Sequence, residues 1–68
     1  MSTVDDLLAT DPSLLLVDDD AAFLGRLERA MARRGFEVRT AGSVAEGLAA
    51  VAEKPPAYAV VDLRLEDG

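Results

Sequence analysis

Cysteine and histidine are both missing from the 68 residues of this chain. Their absence excludes a disulfide framework and a structural zinc site. One small domain of this size buries only about 60% of the surface its unfolded chain exposes, and folds that small lean on a staple. With disulfide and zinc gone, the remaining staples are a hard cation or a second chain. A reducing cytosol fits the lack of cysteine without being required by it.

Positive charge is scarce too. Seven Lys and Arg stand against thirteen Asp and Glu, for a net charge of −6, which argues against direct contact with nucleic acid. Arg26, Arg29, Arg33 and Arg34 cluster, but within one helical stretch, where they read as its solvated face. No apolar run approaches the roughly 20 residues that cross a bilayer. Residues 1–11 carry three acids and no basic segment of a secretory signal. The expected setting is soluble and cytoplasmic, without membrane contact. Internal repeats and low-complexity segments are absent.

What the chain does have is an apolar run that drives straight into carboxylates, Leu14-Leu15-Leu16-Val17-Asp18-Asp19-Asp20. Four apolar residues without alternation predict a strand over 13–18 covered on both faces, as in a parallel α/β sheet. Asp20 is placed to cap a helix over 21–34 whose apolar face carries Phe23, Leu27, Ala30 and Met31, with Gly35 as its stop. A short strand over 37–41 mixes Val38 and Thr40 with Glu37 and Arg39, which suits a sheet edge. Ser43 and Glu46 make a capping box for a second helix that is expected to bury Val44, Leu48 and Val51 before Pro55-Pro56 ends it. Gly47 inside that helix costs about 1 kcal/mol relative to alanine. A third strand over 58–63 then delivers Asp62. Residues 1–12, with Val4, Leu7 and Leu8 closed by Asp11-Pro12, read as an N-terminal extension.

The order is β-α-β-α-β. Right-handed crossovers and a central first strand give the parallel order 2-1-3, which brings Asp62 beside Asp18 and Asp19. Ligands of such sheets bind at the carboxyl ends of the strands. Clustered carboxylates repel unless a cation intervenes, and oxygen ligands from two strand ends suit Mg2+ with positions left for water and phosphate. Asp18 and Asp19 would hold the metal. Asp62, alone at its strand end, would attack phosphorus to form an acyl phosphate, with the metal offsetting charge on the transferring group. Plainer readings exist: Asp20 as a helix cap only, Asp18 as a water-satisfied loop residue, Glu66 and Asp67 as loop charges beyond the strand.

These residues resemble the receiver domain of two-component response regulators over nearly all of 13–68. The resemblance implies a flavodoxin-like (CheY-like) α/β fold, with 13–68 as the N-terminal half of a receiver. It implies that Asp18 binds Mg2+ largely through water, that Asp19 ligates it directly, and that the backbone carbonyl of Arg64 is the remaining protein ligand. Asp62 would accept a phosphoryl group from a sensor histidine kinase, in phosphorelay signalling that controls transcription, without the chain being an enzyme. Residues 55–68 look especially like the RegA/PrrA/ActR branch, redox-responsive regulators with a Fis-type helix-turn-helix output domain. Leu65-Glu66, where many receivers have Met-Pro, matches that branch as well.

The family's fourth and fifth strands, with a switch Ser/Thr and a phosphoryl-contacting Lys, have no counterpart in these residues. The third strand's edge is therefore expected to be free, predicting a homodimer through that edge or by helix exchange. Two other readings compete. Asp18-x-Asp20 resembles the haloacid-dehalogenase phosphatases, with Asp18 as nucleophile and Asp20 as general acid, although Ala22 stands where that family has Thr or Val. An inert oligomerisation fragment is the other.

Overall fold

Every residue of the first strand, β1 (Ser13–Asp18), is buried, as its unbroken apolar run requires. The computed structural model describes residues 11–62. After β1 come α1 (Ala21–Arg33), β2 (Glu37–Ala41), α2 (Val44–Glu53) and β3 (Tyr58–Asp62). The three strands are parallel in the order β2-β1-β3, the arrangement expected for part of a flavodoxin-like receiver sheet. Pairing matches Leu14 with Val38 and Tyr58, and Leu16 with Thr40 and Val60.

Alternation along β1 divides the core into two halves. Leu14 and Leu16 pack with Leu24 of α1, and Leu27, Met31, Phe36, Val38 and Tyr58 close around them. Phe36 meets Tyr58 edge to face, with ring centroids 5.9 Å apart, a geometry that the ring quadrupoles favour. Leu15 and Val17 pack with Ala41 and, from α2, Ala50.

Both helices sit differently from the faces their periodicity suggests. In α1 the residue pressed into the core is Leu24, at 8% exposure, while Phe23 is 37% exposed. The Leu24, Leu27, Met31 spacing is the buried stripe, one position round from Phe23. In α2 the expected burial of Val44, Leu48 and Val51 is overturned: they are 49%, 66% and 39% exposed. The helix rests on β1 through Gly47 and Ala50 instead. A Cβ at Gly47 would stand 3.1 Å from Val17 Cγ2, so the glycine is what lets the helix lie that close to the strand. The apolar stripe is thereby turned toward β3.

Local chemistry sets the helix ends. Asp20 accepts a hydrogen bond from the Phe23 N–H at 3.0 Å, the N-cap geometry. The helix ends at Arg33, with Arg34 as its C-cap, and Gly35 follows at φ 100°. The Gly35 N–H donates to the Ala32 carbonyl and the Phe36 N–H to the Met31 carbonyl, which is a Schellman closure. Gly35→Ala is expected to cost about 1–2 kcal/mol, the penalty of a side chain in left-handed backbone, read as a lower urea midpoint at unchanged slope.

At α2, Ser43 Oγ accepts from the Glu46 N–H at 3.1 Å, but Glu46 Oε2 reaches back to the Gly42 N–H at 2.8 Å, one residue before the cap. Arg39 of β2 covers the other end of α2: Nη1 donates to the Ala50 carbonyl at 3.1 Å and Nη2 to the Lys54 carbonyl. A fixed cation there satisfies terminal carbonyls and opposes the negative end of the helix dipole.

Candidate phosphoacceptor site

The parallel register sets Asp18 level with Asp62 at the carboxyl ends of two hydrogen-bonded strands. Adjacent strands lie roughly 4.8 Å apart, so the two acids are close neighbours, and strand alternation puts both on the sheet face that carries α1. Their environments differ. Asp18 is only 3% exposed, and its Oδ1 accepts from the Asp20 N–H at 2.9 Å, which turns the chain out of the strand and into α1. Asp62 is exposed, and Asp19, first beyond β1, is exposed as well. Asp20 spends its carboxylate on the helix cap.

Three of the expected site residues are thus gathered at one sheet edge, Asp18 and Asp62 by strand pairing and Asp19 by adjacency in sequence. Arg64 lies outside the described residues, as do Leu63, Glu66 and Asp67. Among the described residues, no three His, Cys, Asp or Glu side chains close into a metal cage. The donor chemistry nevertheless suits Mg2+. All the candidate ligands are oxygen, and Mg2+ is ordinarily held by one or two carboxylates with several waters retained, rather than by a full protein cage.

A clamp at the opposite end of β1 went unread in the sequence. Ser13 Oγ donates to Asp11 Oδ1 at 2.8 Å and accepts from the Ala57 N–H at 2.9 Å, tying β1 to the residue that precedes β3. The Ser13 N–H also donates to Asp11 Oδ1, at 3.1 Å, and the Pro12 carbonyl accepts from the Glu37 N–H at 2.9 Å, tying β1 to β2. The Ser13 hydroxyl, then its N–H, hold the Asp11 carboxyl below its usual pKa. A one-residue slip would send every side chain of the strand to the other face, and pinning this end adds to the ladder that sets positions 18 and 62 level at the other. The Asp11-Pro12-Ser13 sequence carried a signal for it, an acid two residues before a hydroxyl at a strand start.

Among the described residues no helix is long and apolar enough to cross a membrane. No family model matches the chain, and no solved structure matches it. Curated relatives do. The photosynthetic apparatus regulatory protein RegA of Cereibacter sphaeroides is 67% identical over 61 residues, covering 90% of this chain and 33% of that protein. The acid tolerance regulatory protein ActR of Rhizobium meliloti is 62% identical over 63 residues, 93% of this chain and 32% of its own length. The transcriptional regulatory protein PrrA of Mycobacterium tuberculosis is 43% identical over 56 residues, 82% of this chain and 24% of its own length. The chain therefore spans about a third or less of the length of these relatives. Identity this high over most of the chain, on a parallel 2-1-3 sheet, makes it a homologue of the RegA, ActR and PrrA response regulators.

Proposed function

We propose that residues 13–68 form the phosphoacceptor half of a response-regulator receiver, with residues 1–12 as an extension, and that Asp62 is the acceptor. The observation that carries this reading is the level pairing of Asp18 with Asp62 across β1 and β3. Asp18, Asp19, Asp62 and the Arg64 carbonyl would hold Mg2+, which when bound neutralises charge on a transferring phosphoryl group. Asp19 is exposed and open to a hydrated ion. Asp18 is buried and oriented by the Asp20 N–H, suited to hold a metal-bound water. The Asp62 carboxylate oxygen attacks phosphorus in line with the leaving group. A P–O bond forms to Asp62 as the P–N bond to a phosphohistidine breaks, and the electron pair departs with the imidazole nitrogen.

The donor partner is then a sensor histidine kinase, in the cytoplasm, and the output is transcription control by a domain beyond these residues. A second copy of the chain is a further partner. Between the phosphatase reading and this one, the exposures favour Asp62: a carboxylate at 3% exposure and engaged by the Asp20 N–H makes a poor nucleophile, whereas Asp62 is open.

Acetyl phosphate with Mg2+ tests the assignment. The expected result is a single phosphoryl adduct on Asp62, seen by mass spectrometry and absent from Asp62→Asn. An adduct that survives Asp62→Asn and is lost in Asp18→Asn would instead establish the phosphatase chemistry. No adduct on any variant would leave an inert module and overturn the proposal.

A further inference from the structure

Within the acidic triplet after β1, Asp20 is held at three points. Its N–H donates to Asp18 Oδ1 at 2.9 Å, its Oδ1 accepts from the Phe23 N–H at 3.0 Å, and its carbonyl accepts from the Leu24 N–H at 2.9 Å. One bond runs back to the end of β1 and two run forward into the first turn of α1. That turn is itself anchored, because Leu24 is buried and packs with Leu14 and Leu16 in the core.

We propose that Asp20 is a positioning residue for the Asp18-Asp19 pair, and that it acts through these hydrogen bonds and not through its charge. The inference rests on the reading of that pair as Mg2+ ligands. It adds the element that fixes their geometry before an ion arrives.

The two carboxylates are fixed in different ways. Asp18 is buried at the strand end, and the donor that orients its Oδ1 cannot swing while Asp20 is tied to α1 by both its side chain and its carbonyl. Asp19 is exposed, but its backbone is bracketed between Asp18, which is paired with Asp62, and the anchored Asp20. Ordering both groups in advance removes an entropic cost from ion binding. Truncation of the Asp20 side chain removes the cap, lets the first turn fray, and frees the N–H that holds Asp18. Partners that orient a metal ligand in this way are worth about 10–100-fold in metal affinity.

Asp20→Asn and Asp20→Ala test this together, because both remove the charge but only asparagine keeps a capping oxygen. Calorimetric titration of the chain with MgCl2 is expected to give an affinity about tenfold weaker in Asp20→Ala than in Asp20→Asn, the low end of the range for such partners. Hydrogen exchange without metal is the second readout. The Asp20 amide is expected to exchange about tenfold faster in Asp20→Ala than in Asp20→Asn, in step with the affinity, while the Leu15 and Val17 amides of β1 keep their rates. Should Asp20→Ala prove unfolded, Asp20→Gly, which also lacks the oxygen but costs the helix little, takes its place with the same expected results. Equal Mg2+ affinities in the asparagine and truncated variants would overturn the proposal and leave the metal reading standing, and so would an affinity loss with no change at the Asp20 amide. No Mg2+ binding by the parent chain would overturn the metal reading itself, and this inference with it.

Discussion

Leu16→Ala is expected to be among the most destabilising substitutions in the chain and to lower its urea midpoint sharply. Leu16 is 1% exposed on the central strand, and deletion of a buried leucine side chain costs about 2–5 kcal/mol through lost transfer energy and the cavity left behind. A chain of this length has roughly 3–10 kcal/mol of total stability, so one such cavity removes a substantial share of it. Leu48 is the contrasting case. Its side chain is 66% exposed, so Leu48→Ala is expected to cost less than about 1 kcal/mol. Urea titration followed by circular dichroism separates the two. Comparable losses would mean that α2 lies on the sheet by the face its periodicity suggests, and not through Gly47 and Ala50.

The second large effect is the response to Mg2+. A ligand bound only by the native state stabilises it by about 2.7 kcal/mol at a hundred times its dissociation constant. For a domain of this size that corresponds to a rise in melting temperature on the order of 10 °C. Asp19→Asn is expected to lose most of the rise. Without metal the direction reverses for the neighbouring strand: Asp62→Asn removes a like-charge pair from directly opposed positions and is expected to raise stability by about 0.2–1 kcal/mol. Equal Mg2+ shifts in the parent chain and in Asp19→Asn would sink the metal assignment.

Features governed by local chemistry were legible before any coordinates. Asp20 and Ser43 cap helices because their short side chains reach the first free N–H groups, and Gly35 stops α1 because only glycine takes its backbone angle without strain. The continuous burial of β1 followed from its unbroken apolar run. The strand order followed from placing the longest apolar strand at the centre with right-handed crossovers, and with it came the pairing of Asp18 with Asp62.

What was not legible depended on rotation and on long-range partners. Periodicity shows that Val44, Leu48 and Val51 share a face, but not that close approach at Gly47 turns this face off β1 and toward β3. Phe23 and Leu24 are adjacent apolar residues, and only the docking angle of α1 decides which one enters the core. Arg39 looked like an ordinary edge charge, since nothing near it in sequence announces that its guanidinium reaches carbonyls eleven and fifteen residues away. The Ser13 clamp likewise joins positions 44 residues apart.

The most direct measurement of the central arrangement is a paramagnetic one. Mn2+ shares the oxygen ligands that Mg2+ takes, and it broadens nearby amide resonances in the nuclear magnetic resonance spectrum. Titrated into the chain, it is expected to bleach Asp18, Asp19 and Asp62 together, at the lowest concentrations, and to be displaced by Mg2+. Bleaching that begins at the acids of residues 1–11, or that reaches Asp19 while leaving Asp62 sharp, would contradict a shared ion between the two strand ends.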